Sequence, residues 1–124
     1  MTTRSVVVGV AATAAFWLGG LHFADATTQP GKIYVSSMVI RDDAIKVRIR
    51  RHTWSDTLRY ARGAEVRYEV VNRGTRRFSL DILGSVTGVM APGRRATILV
   101  AWSRRGRYVF QTAPHGGRLR VTVT

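Results

Sequence analysis

Residues 65–74 read EVRYEVVNRG, in which apolar and charged side chains alternate over six residues before a turn. Val66, Tyr68 and Val70 fall on one side of an extended chain, and the charged residues between them fall on the other. Alternation of period two is typical of a β-strand with one buried and one solvated face. The triplet at 72–74 has turn chemistry, because asparagine and glycine tolerate backbone conformations that end a strand.

The same alternation recurs along the chain, and the segments are separated by Gly, Asn and Pro breaks about ten residues apart. The predicted strands are 33–40, 45–50, 57–60, 65–70, 78–82, 96–102, 107–112 and 118–123. Seven to eight short strands with no helical period between them predict an all-β fold with antiparallel pairing. A Greek-key β-sandwich is the expected architecture, and a small Greek-key barrel is the alternative. We expect its core to include Met38, Met90, Trp54, Trp102, Tyr108 and Phe110.

The first 26 residues differ in composition from the rest. Arg4 precedes an apolar run at 6–21, and the tripeptide Ala-Asp-Ala at 24–26 has the small-x-small form of a signal-peptidase site. Cleavage there would leave 27–124 as the mature domain. An uncleaved anchor helix is the alternative, because residues 5–24 carry no charge and could span a bilayer at about 1.5 Å per residue. Both interpretations predict an exported domain, periplasmic or extracellular, and the second anchors it in the cytoplasmic membrane.

The formal net charge is +13, from 20 Lys and Arg against 7 Asp and Glu. Such a charge usually indicates nucleic acid, but an exported protein does not meet it, so we predict no nucleic-acid partner. An envelope protein with an acidic face or an anionic membrane surface is the expected partner. Three adjacent arginine pairs at strand ends are the partner-binding candidates, namely Arg76, Arg77, Arg94, Arg95, Arg104 and Arg105.

The sequence contains no cysteine, which excludes disulfides, thiolate metal sites and a cysteine nucleophile. Neither Ser79 nor Ser85 has the Gly-x-Ser-x-Gly context of an activated serine. Because no phosphate-binding loop is present either, we expect that the protein is not an enzyme.

Residues 57–124 carry an ordered series of motifs. They are Leu58-x-Tyr60-Ala61-x-Gly63-x-x-Val66, Val70-Val71-Asn72-x-Gly74-Thr75, Phe78-x-Leu80-x-Ile82, Pro92-Gly93, Gly106-x-Tyr108-x-Phe110 and Leu119-x-Val121-x-Val123. In this order they resemble the cupredoxin family, the copper-protein β-sandwich. The resemblance implies a cupredoxin-like fold for 27–124.

The resemblance also implies where a type 1 copper ion would bind. In the family, one His follows the Asn-x-Gly-Thr turn, and Cys, His and often Met come from the loop between the last two strands. The matching positions here are Phe78, Thr112 and His115, and no Met follows. The domain thus resembles a cupredoxin that has lost its copper ligands, so we expect no cofactor. A surface copper site that joins His115 to His52 or Met90 is the alternative.

These observations predict an exported binding or structural module at the cell envelope that associates with a protein or membrane partner through its basic surface. One alternative is a copper-handling or redox accessory protein with a non-thiolate metal site. Another is a membrane-anchored subunit of an envelope membrane complex.

Overall fold

The computed structural model describes Ala24–Asp25 and residues 32–124. Within these residues the strands are β1 (Ala24–Asp25), β2 (Ile33–Ile40), β3 (Ile45–Arg50), β4 (Thr53–Ser55), β5 (Thr57–Tyr60), β6 (Ala64–Asn72), β7 (Asp81–Ile82), β8 (Ser85–Val86), β9 (Arg95–Trp102), β10 (Gly106–Gln111) and β11 (Arg118–Val123). No described residue belongs to a helix of the length and apolarity that crossing a bilayer requires. Apart from Ala24–Asp25, the predicted signal or anchor helix at 1–26 lies outside the described residues.

Two sheets face each other across one core. The five-stranded sheet has the order β4-β3-β2-β6-β9, the four-stranded sheet has the order β1-β5-β11-β10, and β7 and β8 form a short hairpin. The Greek-key sandwich is therefore confirmed, but the pairing is mixed. The pairs β2–β6, β5–β11 and β1–β5 are parallel, because connections that cross between the sheets bring strands of different hairpins together in the same direction.

The inner faces of both sheets build the core, as the alternation predicted. Met38, Tyr68 and Val100 belong to one sheet, Leu58 and Leu119 to the other, and all are buried. Burial of such side chains contributes roughly 1.5–3 kcal/mol each.

Aromatic rings extend this core. Trp102 is fully buried, and its ring centroid lies 5.4 Å from Tyr60 and 5.9 Å from both Tyr108 and Phe110. Tyr108 and Phe110 are partly buried against the core. Three of the four predicted aromatic core residues are therefore confirmed, as are Met38 and Met90.

The prediction that Trp54 lies in the core is wrong, since this side chain is 41% exposed. In β4, Trp54 pairs directly opposite Arg48 of β3, which is exposed. Directly opposite residues share one face of a sheet, so Trp54 lies on the solvent side with Arg48.

The predicted strand 78–82 is interrupted. Phe78 pairs with Met90 on one side, Ser79 pairs with Ala113 on the other, and only Asp81–Ile82 forms a strand. Because the segment changes partner within two residues, no continuous ladder extends along it.

The loops gather at two ends of the sandwich. One end, which we name the site end, consists of residues 41–44, 73–79, 91–94 and 112–117. Its loops are joined by backbone hydrogen bonds from Arg73 to Ile40 (2.8 Å) and from Ser79 to Ala113 (3.1 Å). The opposite end consists of 51–52, 61–63 and 103–105, where the Gly63 amide donates to the Trp102 carbonyl at 2.7 Å.

Candidate functional site

Phe78 and Thr112 lie on adjacent loops of the site end. The residue after each of them makes a pair of backbone hydrogen bonds with the other loop, Ser79 to Ala113 at 3.1 Å and Ala113 to Ser79 at 2.9 Å. The fold therefore brings together two of the three positions that match the copper ligands.

Phe78 belongs to the hydrophobic core and is only 2% exposed. Its amide donates to the Met90 carbonyl at 3.1 Å, and the Met90 amide donates back at 2.7 Å. A phenyl ring thus fills the position where the resemblance places an imidazole, and it offers no donor atom to a metal.

Thr112 closes its loop with its hydroxyl group. This buried oxygen donates to the His115 carbonyl at 3.3 Å. A Cβ atom at Gly116 would overlap the Thr112 Oγ1 and would lie 3.4 Å from the Phe78 Cε1. Gly116 is therefore packed directly against Thr112 and lies close to the Phe78 ring.

The His115 imidazole is exposed. His52 follows β3 at the opposite end, so the strand length separates the two histidines, at about 3.3 Å per residue. They cannot share a metal ion, since zinc or copper bonds to imidazole are about 2 Å long. In the part of the chain that the structure describes, no three His, Asp or Glu side chains form a group able to hold a metal ion.

Asn72 holds the loop that leads to Phe78, a role that sequence reasoning missed because it treated this residue only as a turn signal. The side chain is fully buried. Its Nδ2 donates to the carbonyls of Arg76 (2.8 Å) and Met90 (2.9 Å), and its Oδ1 accepts from the Gly74 amide (2.8 Å). The sequence signal for this role was an asparagine at the end of an apolar strand, where its side chain can be buried and bond to the following loop.

Asp42 fastens the same loop from the β2–β3 turn. Its carboxylate accepts from the Thr75 amide (2.7 Å), the Thr75 hydroxyl (2.6 Å) and the Arg76 amide (3.3 Å). The Thr75 hydrogen bonds are the main cause that lowers the pKa of Asp42. A Cβ atom at Gly74 would overlap this carboxylate, so glycine permits the approach. No sequence signal links Asp42 to Thr75, since the contact is between distant segments.

No protein-family model and no curated protein sequence matches the chain. Solved structures do match. The multicopper oxidase McoA from the hyperthermophile Aquifex aeolicus has a TM-score of 0.58 at 11% identity, over 84% of this chain and 30% of its own. A rusticyanin variant has a TM-score of 0.53 at 14% identity, over 86% of both chains. A heme-copper terminal oxidase chain has a TM-score of 0.54 at 12% identity, over 78% of this chain and 72% of its own.

The chain has a cupredoxin-like fold. It spans 42% and 30% of the length of two multicopper oxidases that it matches. A type 1 copper ion requires a thiolate together with two imidazoles. The cupredoxin-like domain has no cysteine, and a phenyl ring and a hydroxyl occupy two matching positions, so its residues do not fit that ion.

Three neighbouring strands of the cupredoxin-like domain carry an arginine at the site end. Arg41 follows β2, Arg73 follows β6 and Arg94 precedes β9. The Arg73 amide donates to the Ile40 carbonyl at 2.8 Å, and the Asn72 amide donates to the Arg94 carbonyl at 3.0 Å. Because neighbouring strands lie about 4.8 Å apart, these three backbones lie within about 10 Å.

Further arginines border the same loops, and all are exposed. The full set at the site end is Arg41, Arg73, Arg76, Arg77, Arg94, Arg95 and Arg118. The site-end loops themselves contain two carboxylates, Asp42 and Asp43. Arg76 is the most constrained of the arginines, because its guanidinium donates to the Asp42 carbonyl at 3.4 Å and lies 5.8 Å from the Phe78 ring centroid.

Arg104 and Arg105 lie at the opposite end, between β9 and β10. The Arg104 carbonyl accepts a hydrogen bond from the Tyr108 hydroxyl at 2.8 Å. The fold therefore divides the six candidate arginines, with four at the site end and two at the other. The opposite end is also basic, since it carries Arg50, Arg51, Arg62, Arg104 and Arg105.

Proposed function

We propose that this protein is an exported, cupredoxin-like binding module of the cell envelope. It associates with a protein or membrane partner through its basic surface, and it has neither a type 1 copper site nor a catalytic role. The export segment, the basic charge and the replaced ligand positions all support this function.

One observation carries most of the proposal. At the end of the sandwich where the resemblance places copper, Phe78 is buried, and seven exposed arginines lie in or beside the loops around it. Buried apolar packing stabilises the loops, and the exposed guanidinium groups create a positive potential of several kT around them. Such a surface favours acidic or anionic partners.

A second candidate is a membrane-anchored subunit of an envelope membrane complex. The match to a chain of a heme-copper terminal oxidase favours it, because that match covers 72% of the oxidase chain. The uncharged segment at 5–24 supplies the anchor in this candidate function.

To test this proposal, the full chain is extracted from envelope membranes in a mild detergent. The lipid and protein that co-purify with it are measured at 0.1 M and at 1 M salt. The Debye length falls from about 10 Å to about 3 Å between these concentrations, so we expect partner material at low salt and its loss at high salt. A chain that purifies alone at both concentrations would overturn the proposal.

Calorimetry with Cu(II) tests the absence of a copper site. We expect no sub-micromolar binding. Tight binding that His115→Ala abolishes would instead support the copper-handling alternative.

A further inference from the structure

The direction of β1 relates the predicted anchor to one end of the sandwich. Ala24 pairs with Leu58 and Asp25 with Arg59, so β1 runs parallel to β5. β5 in turn runs parallel to β11, which leaves the 112–117 loop at the site end. β1 therefore runs from the site end toward the opposite end.

The residues before β1 have the composition of a bilayer-spanning segment. Residues 5–23 carry no charge, and as a helix they would extend about 28 Å at 1.5 Å per residue, close to the roughly 30 Å of a hydrocarbon core. If this segment is retained, the site end is the end that adjoins the bilayer.

The pairing of β1 supports retention. The predicted cleavage tripeptide at 24–26 includes both residues of β1, and cleavage after it would remove this edge strand from the four-stranded sheet.

The chemistry of the site end suits an anionic lipid surface. Seven exposed arginines border its loops, and the Asp42 carboxylate there is already engaged by Thr75 and Arg76. Val89, two residues before the 91–94 loop, is 72% exposed and places an apolar group beside the site end. Basic side chains around an apolar residue match headgroup phosphates above an acyl boundary.

We propose that residues 5–23 are retained as an anchor and that the site end lies against anionic lipid headgroups. This inference rests on the proposed function, whose basic surface it assigns to the membrane. Charge alone would not select this end, because the opposite end is basic as well. The direction of β1 selects the site end. Each arginine held near the membrane surface raises the affinity of this end for anionic lipid by about fivefold.

The absence of cysteine allows single-cysteine reporters in the full chain. Val89→Cys reports on the site end, and Ser103→Cys, also at an exposed position, reports on the opposite end. Each variant is reconstituted into vesicles of phosphatidylcholine alone or with phosphatidylglycerol, and the labelling rate with a water-soluble maleimide is measured against the rate in detergent.

In phosphatidylglycerol vesicles we expect Val89→Cys to react several-fold more slowly than Ser103→Cys. High salt and phosphatidylcholine should each restore its rate. In the same background, Arg94→Gln with Arg95→Gln should raise the Val89→Cys rate, whereas the matched pair Arg104→Gln with Arg105→Gln should not. If Arg94→Gln with Arg95→Gln impairs folding, the effect of salt on the Val89→Cys labelling rate provides a second measurement.

Equal rates for the two reporters in phosphatidylglycerol vesicles would overturn the inference, and so would a native N-terminus at Thr27. Protection of Val89→Cys only when envelope proteins are added would assign the site end to an acidic protein. These outcomes leave the proposed function intact, whereas a chain without any salt-sensitive envelope partner would overturn that function itself.

Discussion

The hydroxyl groups of Tyr60 and Tyr68 lie 2.7 Å apart inside the core and form a hydrogen bond across the sandwich. Tyr60 belongs to the four-stranded sheet and Tyr68 to the five-stranded sheet. Both side chains are buried, so each hydroxyl satisfies the other in a place that water does not reach. This bond joins the two layers at a polar point within the hydrophobic core.

Tyr68→Phe should lower the free energy of unfolding by about 1–3 kcal/mol, because it leaves the Tyr60 hydroxyl buried without its partner. Urea unfolding measures the change. Tyr108→Phe is the control, since its hydroxyl bonds to an exposed carbonyl and water can replace it. Equal losses in the two variants would contradict the interpretation.

The same pair predicts a loss of stability at alkaline pH. Burial raises the pKa of Tyr60. Burial also raises the pKa of Tyr68, and the neighbouring Tyr60 raises it further. In the unfolded chain both groups lose protons above about pH 10, whereas the folded protein keeps them. Stability is therefore complete below that pH and falls above it by about 1.4 kcal/mol per pH unit for each tyrosine. The free energy of unfolding is measured above pH 10 for the wild type and for the double variant Tyr60→Phe with Tyr68→Phe. It should fall less steeply with pH in the double variant.

Asn72→Ala should lower the free energy of unfolding by about 2–4 kcal/mol, because this buried side chain makes three hydrogen bonds that hold the loop before Phe78. Thr97→Ala, at an exposed position of β9, should change it by less than about 0.5 kcal/mol. Hydrogen exchange of the 73–77 amides provides a local measurement. Unchanged exchange in Asn72→Ala would show that the side chain does not hold the loop.

Phe78→Ala should lower the free energy of unfolding by about 3–5 kcal/mol, because removal of this buried ring leaves a cavity. The exposed Val89→Ala on the paired segment is the control. A loss below about 1 kcal/mol for Phe78→Ala would mean that the position is not packed as described.

Asp42 should make the site end sensitive to acid. Its folded pKa is lowered by the Thr75 hydrogen bonds, so this stabilising contribution is present above the unfolded value of about 3.9 and is lost as the pH falls through the lower folded value. The melting temperature of the wild type should fall between neutral and strongly acidic pH. In Asp42→Asn it should fall by less. Thr75→Val, which removes the strongest donor, should reduce the decrease in part. Full acid sensitivity in both variants would contradict this assignment.

Most of the strands follow from local pattern, because alternation of period two needs only one buried face to be correct. The pattern failed at Trp54, where the partner strand places an aromatic ring outward, and at 78–82, where the partner changes. At the candidate site, Phe78 and Thr112 were identified from motif order. Asn72 and Asp42 were not, because their hydrogen bonds are to segments that the sequence does not relate to them.

Composition and periodicity alone determine that this chain is a basic, cysteine-free β-sandwich preceded by an apolar segment, since these properties depend on residue type and spacing. Only the tertiary structure decides which arginines share a surface. Arg76 and Arg94 meet at the site end while Arg104 lies at the other, because strand direction decides the end at which each turn emerges. The direction of β1 likewise depends on its register with β5, which no local sequence pattern specifies.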